Sequence, residues 1–171
     1  MKTSRDFILL YLLLLIAQLV ICNYLYLSQF VVLSILPAMI LCIPLTVNSV
    51  SALVIAFATG LVTDLLGDGL AGLNILALLP VAAFRKPLIG SIFGYDIVER
   101  QGRFNIRNNG FFPCMGAVLI MTALFMAAYI FADCAGTRPL WFLAVRWVAS
   151  TAASGLLCLI VFNTLNPRER S

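Results

Sequence analysis

Two aspartates set among glycines are the residues whose type and spacing best suit chemistry in this chain. They lie in a stretch that holds Gly60, Asp64, Gly67, Asp68 and Gly72 and directly follows an apolar run. On a helix, positions three or four residues apart stack, so the first four of these residues share one face. A carboxylate at the end of an apolar run is costly in a membrane unless it faces protein. Two interpretations stay open: a buried polar hinge between membrane helices, or a helix end and glycine turn at the lipid–water boundary.

Two kinds of membrane enzyme use aspartates in similar spacings, and each needs residues that this chain lacks. Gly60-x-x-x-Asp64-x-x-x-Asp68 matches the second half of the signature of CDP-alcohol phosphotransferases, whose aspartates hold metal ions. The first half is missing, because no acid occurs between Asp6 and Asp64, and divalent metals need several oxygen ligands. An intramembrane aspartyl protease needs two facing aspartates on separate helices. Asp64 and Asp68 lie one turn apart on one segment. Asp133 could supply a second carboxylate, but the stretch Leu-Leu-Gly-Asp68-Gly lacks the Gly-x-Gly-Asp pattern.

Other catalytic patterns are equally incomplete. Gly67-x-Gly69-x-x-Gly72 has the form of a dinucleotide fingerprint, but it lies between apolar runs and not after a strand. The chain has no His, which removes His-based metal sites and catalytic triads. Its five Cys lie in or at the ends of apolar runs, where we expect them to be small buried residues. We therefore expect no enzymatic activity, no metal site and no cofactor.

The composition places these residues in a membrane protein. The chain is 63% hydrophobic and only 11% charged, with a mean hydropathy of +1.06, whereas a soluble domain is roughly half apolar and a quarter charged. We predict a single all-α transmembrane domain over residues 1–171. Its predicted spans cover about 7–27, 30–47, 50–66, 70–84, 114–132 and 140–162, and a cytoplasmic loop covers 85–113.

The placement of basic residues predicts the orientation. Nine of them fall on the side of the N-terminus if the chain crosses six times, and only Arg138 falls in the opposite loops. The positive-inside rule therefore places both termini in the cytoplasm. It also places Asp64, Asp68 and Asp133 toward the outer face. Basic residues in short segments between apolar runs indicate membrane topology and lipid contact, and we expect no nucleic-acid partner.

Arg146 is the one charge inside a predicted span. An unpaired charge at that depth costs several kcal/mol, and a partner offsets much of this cost. Asp64 lies at a similar predicted depth and is one candidate partner, and Asp133 is another. A third interpretation is that Arg146 extends to the outer surface without a partner.

With these residues in view, the chain resembles the MreD family of rod shape-determining membrane proteins. The resemblance rests on Gly60-x-x-x-Asp64 followed eight residues later by Gly72, on the preceding helix with Pro37 and Pro44, and on size and predicted topology. It is sharpest over about residues 35–84. The chain departs from the family in its Gly67-Asp68-Gly69 turn, where a Ser-Gly pair is usual, and in a longer polar loop.

The resemblance implies a non-enzymatic scaffold subunit of the peptidoglycan elongation complex in the bacterial cytoplasmic (inner) membrane. Such proteins bind the bitopic protein MreC and with it link MreB inside the cell to cell-wall synthases outside. The family is also similar in helix number to the substrate-binding subunits of energy-coupling-factor vitamin transporters, and such a subunit is the alternative function. In either case we expect Gly60, Asp64, Gly67, Asp68, Gly72 and Arg146 to shape helix packing.

Overall fold

A computed structural model describes residues 2–24, 31–68, 72–94, 111–134 and 139–165. All of the regular structure in these ranges is helical. The helices are α1 (Lys2–Tyr24), α2 (Leu36–Leu41), α3 (Ser49–Thr63), α4 (Leu73–Phe93), α5 (Phe111–Cys134) and α6 (Leu140–Leu165), with a π-helical turn at Asp64–Asp68 directly after α3.

Four of these helical segments are long and apolar enough to cross a membrane. They are Ser49–Gly67, Leu73–Phe93, Phe112–Cys134 and Leu140–Val161, while the apolar part of α1, Ile8–Tyr24, is shorter. Helices suit such sequences because each backbone N–H and C=O finds its partner inside the segment, where lipid offers none. The predicted all-helical class with multiple apolar segments is confirmed.

The segment predicted as the second span, 30–47, is mostly not helical in its described part. Only the six residues of α2 form an α-helix, and all six are buried. Two prolines limit it. Pro37 is the second helical residue, a position that tolerates proline because N–H groups of the first turn have no helical acceptor. Pro44 lacks an N–H and disfavours helical backbone in the residue before it, so the helix ends at Leu41.

Helix α4 is longer than predicted. We expected a span over 70–84 and a polar loop from residue 85, but α4 continues to Phe93. Residues 85–93 are therefore helical and belong to the bundle, and residues 95–110 of the predicted loop lie outside the described residues. Leu88, Ile89, Ile92 and Phe93 continue the apolar face of the helix beyond Arg85, which explains why one pair of basic residues does not end it.

Contacts between side chains fix the relative directions of the elements. Tyr11 Oη lies 2.8 Å from Thr59 Oγ1, and Asn23 Nδ2 donates to the Leu66 carbonyl, so α1 runs parallel to α3. Ser150 and Ser154 contact Val32 and Ser34 in the same order, so the segment leading into α2 runs parallel to α6. Helix α2 contacts α1, α4, α5 and α6. It therefore forms the centre of the buried core.

Candidate functional site

The Asp64 carboxylate caps the N-terminus of α4. It is fully buried, and its Oδ2 accepts the backbone N–H groups of Gly72 (2.8 Å) and Ile75 (3.4 Å). Its Oδ1 accepts the backbone N–H of Asn74 (2.9 Å) and the Asn74 side-chain amide (3.0 Å). The first N–H groups of a helix have no helical acceptor and carry partial positive charge, so an anion there is favourable. A residue of the preceding helix thus replaces the local cap that Gly72 cannot supply.

Two glycines bring this carboxylate to α4. A Cβ on Gly60 would lie 2.8 Å from both Cα and N of Ile75, closer than real side chains approach, so only glycine lets α3 and α4 contact here. Gly72 has φ of +108°, a left-handed conformation that side chains disfavour. Together they let the chain turn back so that the first turn of α4 meets Asp64.

The remaining glycine and acid of the predicted motif are placed differently. A Cβ on Gly67 would lie 3.2 Å from Cβ of Cys22, so this glycine faces α1 and not α4. Next to Gly67 in the π-helical turn, the Leu66 carbonyl accepts a hydrogen bond from the Asn23 side-chain amide of α1. The backbone of Asp68 ends the turn, and its side chain lies outside the described residues. The motif therefore serves two neighbours: Gly60, Asp64 and Gly72 hold α4, and Gly67 contacts α1.

Arg146 pairs with Asp133 and not with Asp64. Its Nη1 lies 2.7 Å from Oδ2 of Asp133, with side-chain exposures of 16% and 26%. Helices α5 and α6 pack together, with the Trp147 indole N–H donating to the Ala123 carbonyl. Asp133 at the end of α5 is then next to Arg146, whereas both oxygens of Asp64 accept from α4. Of the two partners considered from the sequence, the structure selects the one on the neighbouring helix.

Arg85 is a functional candidate that the sequence interpretation missed. We assigned it to a cytoplasmic loop, but its side chain is 1% exposed inside the bundle. Nη1 donates to the carbonyls of Ile40 (3.3 Å) and Ile43 (2.9 Å), and Nη2 donates to that of Pro44 (3.3 Å). These bonds satisfy carbonyls where α2 ends, and the cation is favourable at a helix C-terminus.

Within the described ranges Arg85 has no acidic partner, and its Nε has no acceptor. A signal for this burial exists in the sequence. Val81, Ala82, Arg85 and Ile89 follow helical spacing, and all four are buried. The arginine continues an apolar helix face, which a count of basic residues in loops does not detect.

A row of small polar residues on α6 holds the extended chain before α2. Ser150 Oγ accepts the Val32 N–H (3.0 Å), and Ser154 Oγ accepts the Ser34 N–H (3.1 Å) and donates to the Val32 carbonyl (3.0 Å). One turn further, the Cys158 thiol donates to the Ser34 carbonyl. Non-helical backbone is tolerated at membrane depth only where protein or a cavity supplies partners. The four-residue spacing of this row was the available signal.

Asp64, Arg85, Ser150 and Ser154 thus all bond to backbone groups in the interior. Gln18 fits the same pattern, since its Oε1 accepts the Ile35 N–H at 2.8 Å. Across the described ranges, no group of three or more His, Cys, Asp or Glu is placed to hold a metal ion. The arrangement is suited to holding a broken helix and a tight hairpin in one geometry.

Comparisons with known proteins add no relative to this description. No family model matches the chain, and searches of curated proteins and of solved structures gave no match.

Proposed function

We propose that this chain is a non-enzymatic scaffold subunit of the MreD type in the bacterial cytoplasmic membrane. It would bind the transmembrane helix of an MreC-like bitopic partner and thereby link MreB to cell-wall synthases. The observation that carries the proposal is the use of Asp64. This buried carboxylate accepts four hydrogen bonds, all from the start of α4. Its role is to fix a helix hairpin, which is the role we expected for the acid of the glycine-rich stretch.

The topology of the proposal is six traversals with both termini in the cytoplasm. The four spanning helical segments and the shorter apolar helix of α1 would supply five of them, and the sixth would be the segment 31–48. The four non-helical residues 31–34 would cover at most about 13 Å and the six residues of α2 cover about 9 Å, so residues 42–48 would have to supply the rest of the thickness of a bilayer core. The parallel course of this segment and α6, and of α1 and α3, supports an alternating path.

The distribution of polar groups supports a docking role over a transport role. Side chains such as Gln18, Asp64, Arg85 and Ser154 are buried and bonded to the chain's own backbone. The outer surface is instead rich in apolar side chains, with Leu13 of α1 63% exposed and Leu156 of α6 66% exposed. A rigid interior and an apolar exterior suit a protein that offers helix faces to another membrane protein.

The test is capture of the partner. The tagged chain is co-expressed with an MreC-like single-span protein, purified in mild detergent, and examined by mass spectrometry for bound proteins and small molecules. We expect a stoichiometric complex with the single-span protein. We also expect Asp64→Ala to lower both the yield of folded chain and the amount of partner captured.

The matched control is Asp133→Ala, which removes an acid from a partly exposed ion pair and is expected to leave capture near the wild-type level. Failure of the folded wild-type chain to retain the partner would overturn the scaffold proposal. Stoichiometric recovery of a vitamin would overturn it too, and would favour the transporter-subunit alternative.

A further inference from the structure

Helix α4 contains two prolines in its interior, Pro80 and Pro87. Proline has no N–H, so the carbonyls four residues earlier, those of Leu76 and Ala83, lose their helical donors. The two prolines lie seven residues apart, close to two helical turns, so both freed carbonyls lie on one side of α4. This side is turned outward, because Leu76 is 55% exposed, Ala83 and Pro87 are exposed, and Pro80 is half-buried. We call Leu76, Pro80, Ala83 and Pro87 the proline face.

The Ala83 carbonyl lies at the middle of an apolar helix. Helix α4 is long and apolar enough to cross a membrane. Ala83 is the eleventh of its 21 residues, so it lies about 15 Å from either end. An acceptor without a donor is costly in hydrocarbon, which offers none. The Leu76 carbonyl lies near the start of α4, where interfacial water supplies donors, so Ala83 carries the argument.

The chain supplies no donor for these two carbonyls within its described ranges. None of the described hydrogen bonds that connect one element with another is accepted by either of them. The comparable carbonyl in α2 differs, because Pro44 follows Ile40 by four residues and Arg85 donates to the Ile40 carbonyl. Ile40 is fully buried, whereas the freed carbonyls of α4 lie on the surface. A donor for the Ala83 carbonyl therefore has to come from another molecule.

We propose that the proline face docks the transmembrane helix of the single-span partner, and that a Ser or Thr hydroxyl of that helix donates to the Ala83 carbonyl. This inference rests on the scaffold function proposed above and names the surface that serves it. Ser and Thr hydroxyls form hydrogen bonds between membrane helices, and a small residue such as Ala83 lets two backbones approach closely.

The freed carbonyls argue against the other two occupants of such a surface. Lipid chains have no donors. A second copy of the chain, docked through the same face about a two-fold axis, would bring acceptors against acceptors. The occupant is therefore a different protein that carries donors at membrane depth.

The first test maps the contact by photocrosslinking. The chain is co-expressed with the MreC-like single-span protein and irradiated in membranes before purification. Leu76→p-benzoylphenylalanine places the reagent on the proline face. The matched control is the same replacement of Leu156, which is 66% exposed on α6, a helix that packs on α2 and α5. We expect a crosslink to the partner from position 76 and none from position 156.

The second test changes the hydrogen-bond chemistry. Pro87→Ala restores an N–H that donates to the Ala83 carbonyl within α4, so the partner hydroxyl loses its acceptor. We expect association with the partner to weaken about three- to tenfold, the range for one hydrogen bond between membrane helices. The Tm of the chain alone is expected to stay the same or rise, because alanine is a better helix former than proline. A misfolded variant would instead lower Tm.

A third variant keeps the inference falsifiable if Pro87→Ala does not fold. Ala83→Leu fills the point of closest approach and is expected to weaken association at unchanged Tm. Its matched control is Ala58→Leu at an exposed alanine of α3, which is expected to leave association unchanged.

The outcomes separate this inference from the scaffold function. Capture of the partner with a crosslink from position 156 and none from position 76 would overturn the docking site and leave the scaffold function standing. Absence of capture would overturn both. A crosslink from position 76 to a second copy of the chain would overturn the docking site too, as would wild-type association in folded Ala83→Leu protein.

Discussion

The strongest prediction concerns Asp64, because one carboxylate completes the first turn of α4. Asp64→Asn keeps the shape of the side chain but replaces one acceptor oxygen by an NH2 group. In either orientation, this NH2 faces N–H groups that donate to a carboxylate oxygen in the wild-type chain. If it occupies the Oδ2 position, it meets the N–H groups of Gly72 and Ile75. If it occupies the Oδ1 position, it meets both donors of Asn74.

The expected loss in the free energy of unfolding is set by the two donors of Asn74, because both of their bonds to Asp64 are buried. The bonds from Gly72 and Ile75 are only part-buried and contribute less. A buried donor left without an acceptor costs about 1–3 kcal/mol. Asp64→Ala, which removes this acceptor from both donors, should therefore lower the free energy of unfolding by about 3 kcal/mol. Asp64→Asn should cost nearly as much despite its matching size. For a chain of this length, this corresponds to a fall in Tm of about 6–12 °C.

The assay is thermal unfolding of the purified chain in lipid nanodiscs, followed by circular dichroism. The matched control is Asp133→Asn, whose ion pair is partly exposed and should change stability by about 1 kcal/mol or less. If Asp64→Asn and Asp133→Asn shifted Tm equally, the capping role of the buried carboxylate would be refuted. A full loss in Asp64→Ala with none in Asp64→Asn would show that packing, and not the hydrogen bonds, carries the effect.

Three further predictions test the close contact and the supports of α2. Gly60→Ala is expected to force α3 away from Ile75 and to lower Tm by several degrees. The control Gly116→Ala has open space around its Cβ and should leave Tm unchanged. Equal shifts in Tm for the two variants would argue against the close contact. Arg85→Met is expected to release the carbonyls after α2, so hydrogen–deuterium exchange should become faster over residues 42–47 and stay unchanged in α5. Ser154→Ala removes two hydrogen bonds to the extended chain and leaves a buried N–H unpaired, so unfolding in nanodiscs should lose about 1–3 kcal/mol of free energy; wild-type stability would contradict this role.

Much of the fold can be predicted from the sequence because hydropathy is a local property. Long apolar runs specify helices wherever water is absent, since the backbone must satisfy itself, and α3, α5 and α6 begin and end within a few residues of the predicted bounds. The spacing of Gly60, Asp64 and Gly72 also directed attention to the hairpin between α3 and α4. The apolar runs and the glycine–aspartate spacing both depend on residues close together in the sequence, so they can be identified without knowing the rest of the fold.

The tertiary structure alone decided what each buried charge binds. Hydropathy predicts one continuous span in the segment before α3, but the non-helical part of that segment depends on hydrogen bonds from distant helices, among them those of Ser150 and Ser154. Arg85 looked like a loop residue because its carbonyl acceptors lie more than 40 residues earlier. Arg146 had two candidate acids, and helix packing selected one. A buried charged group binds the partner that lies nearest in the folded chain. The distance between the two groups depends on how all the intervening helices pack, which the local sequence does not specify.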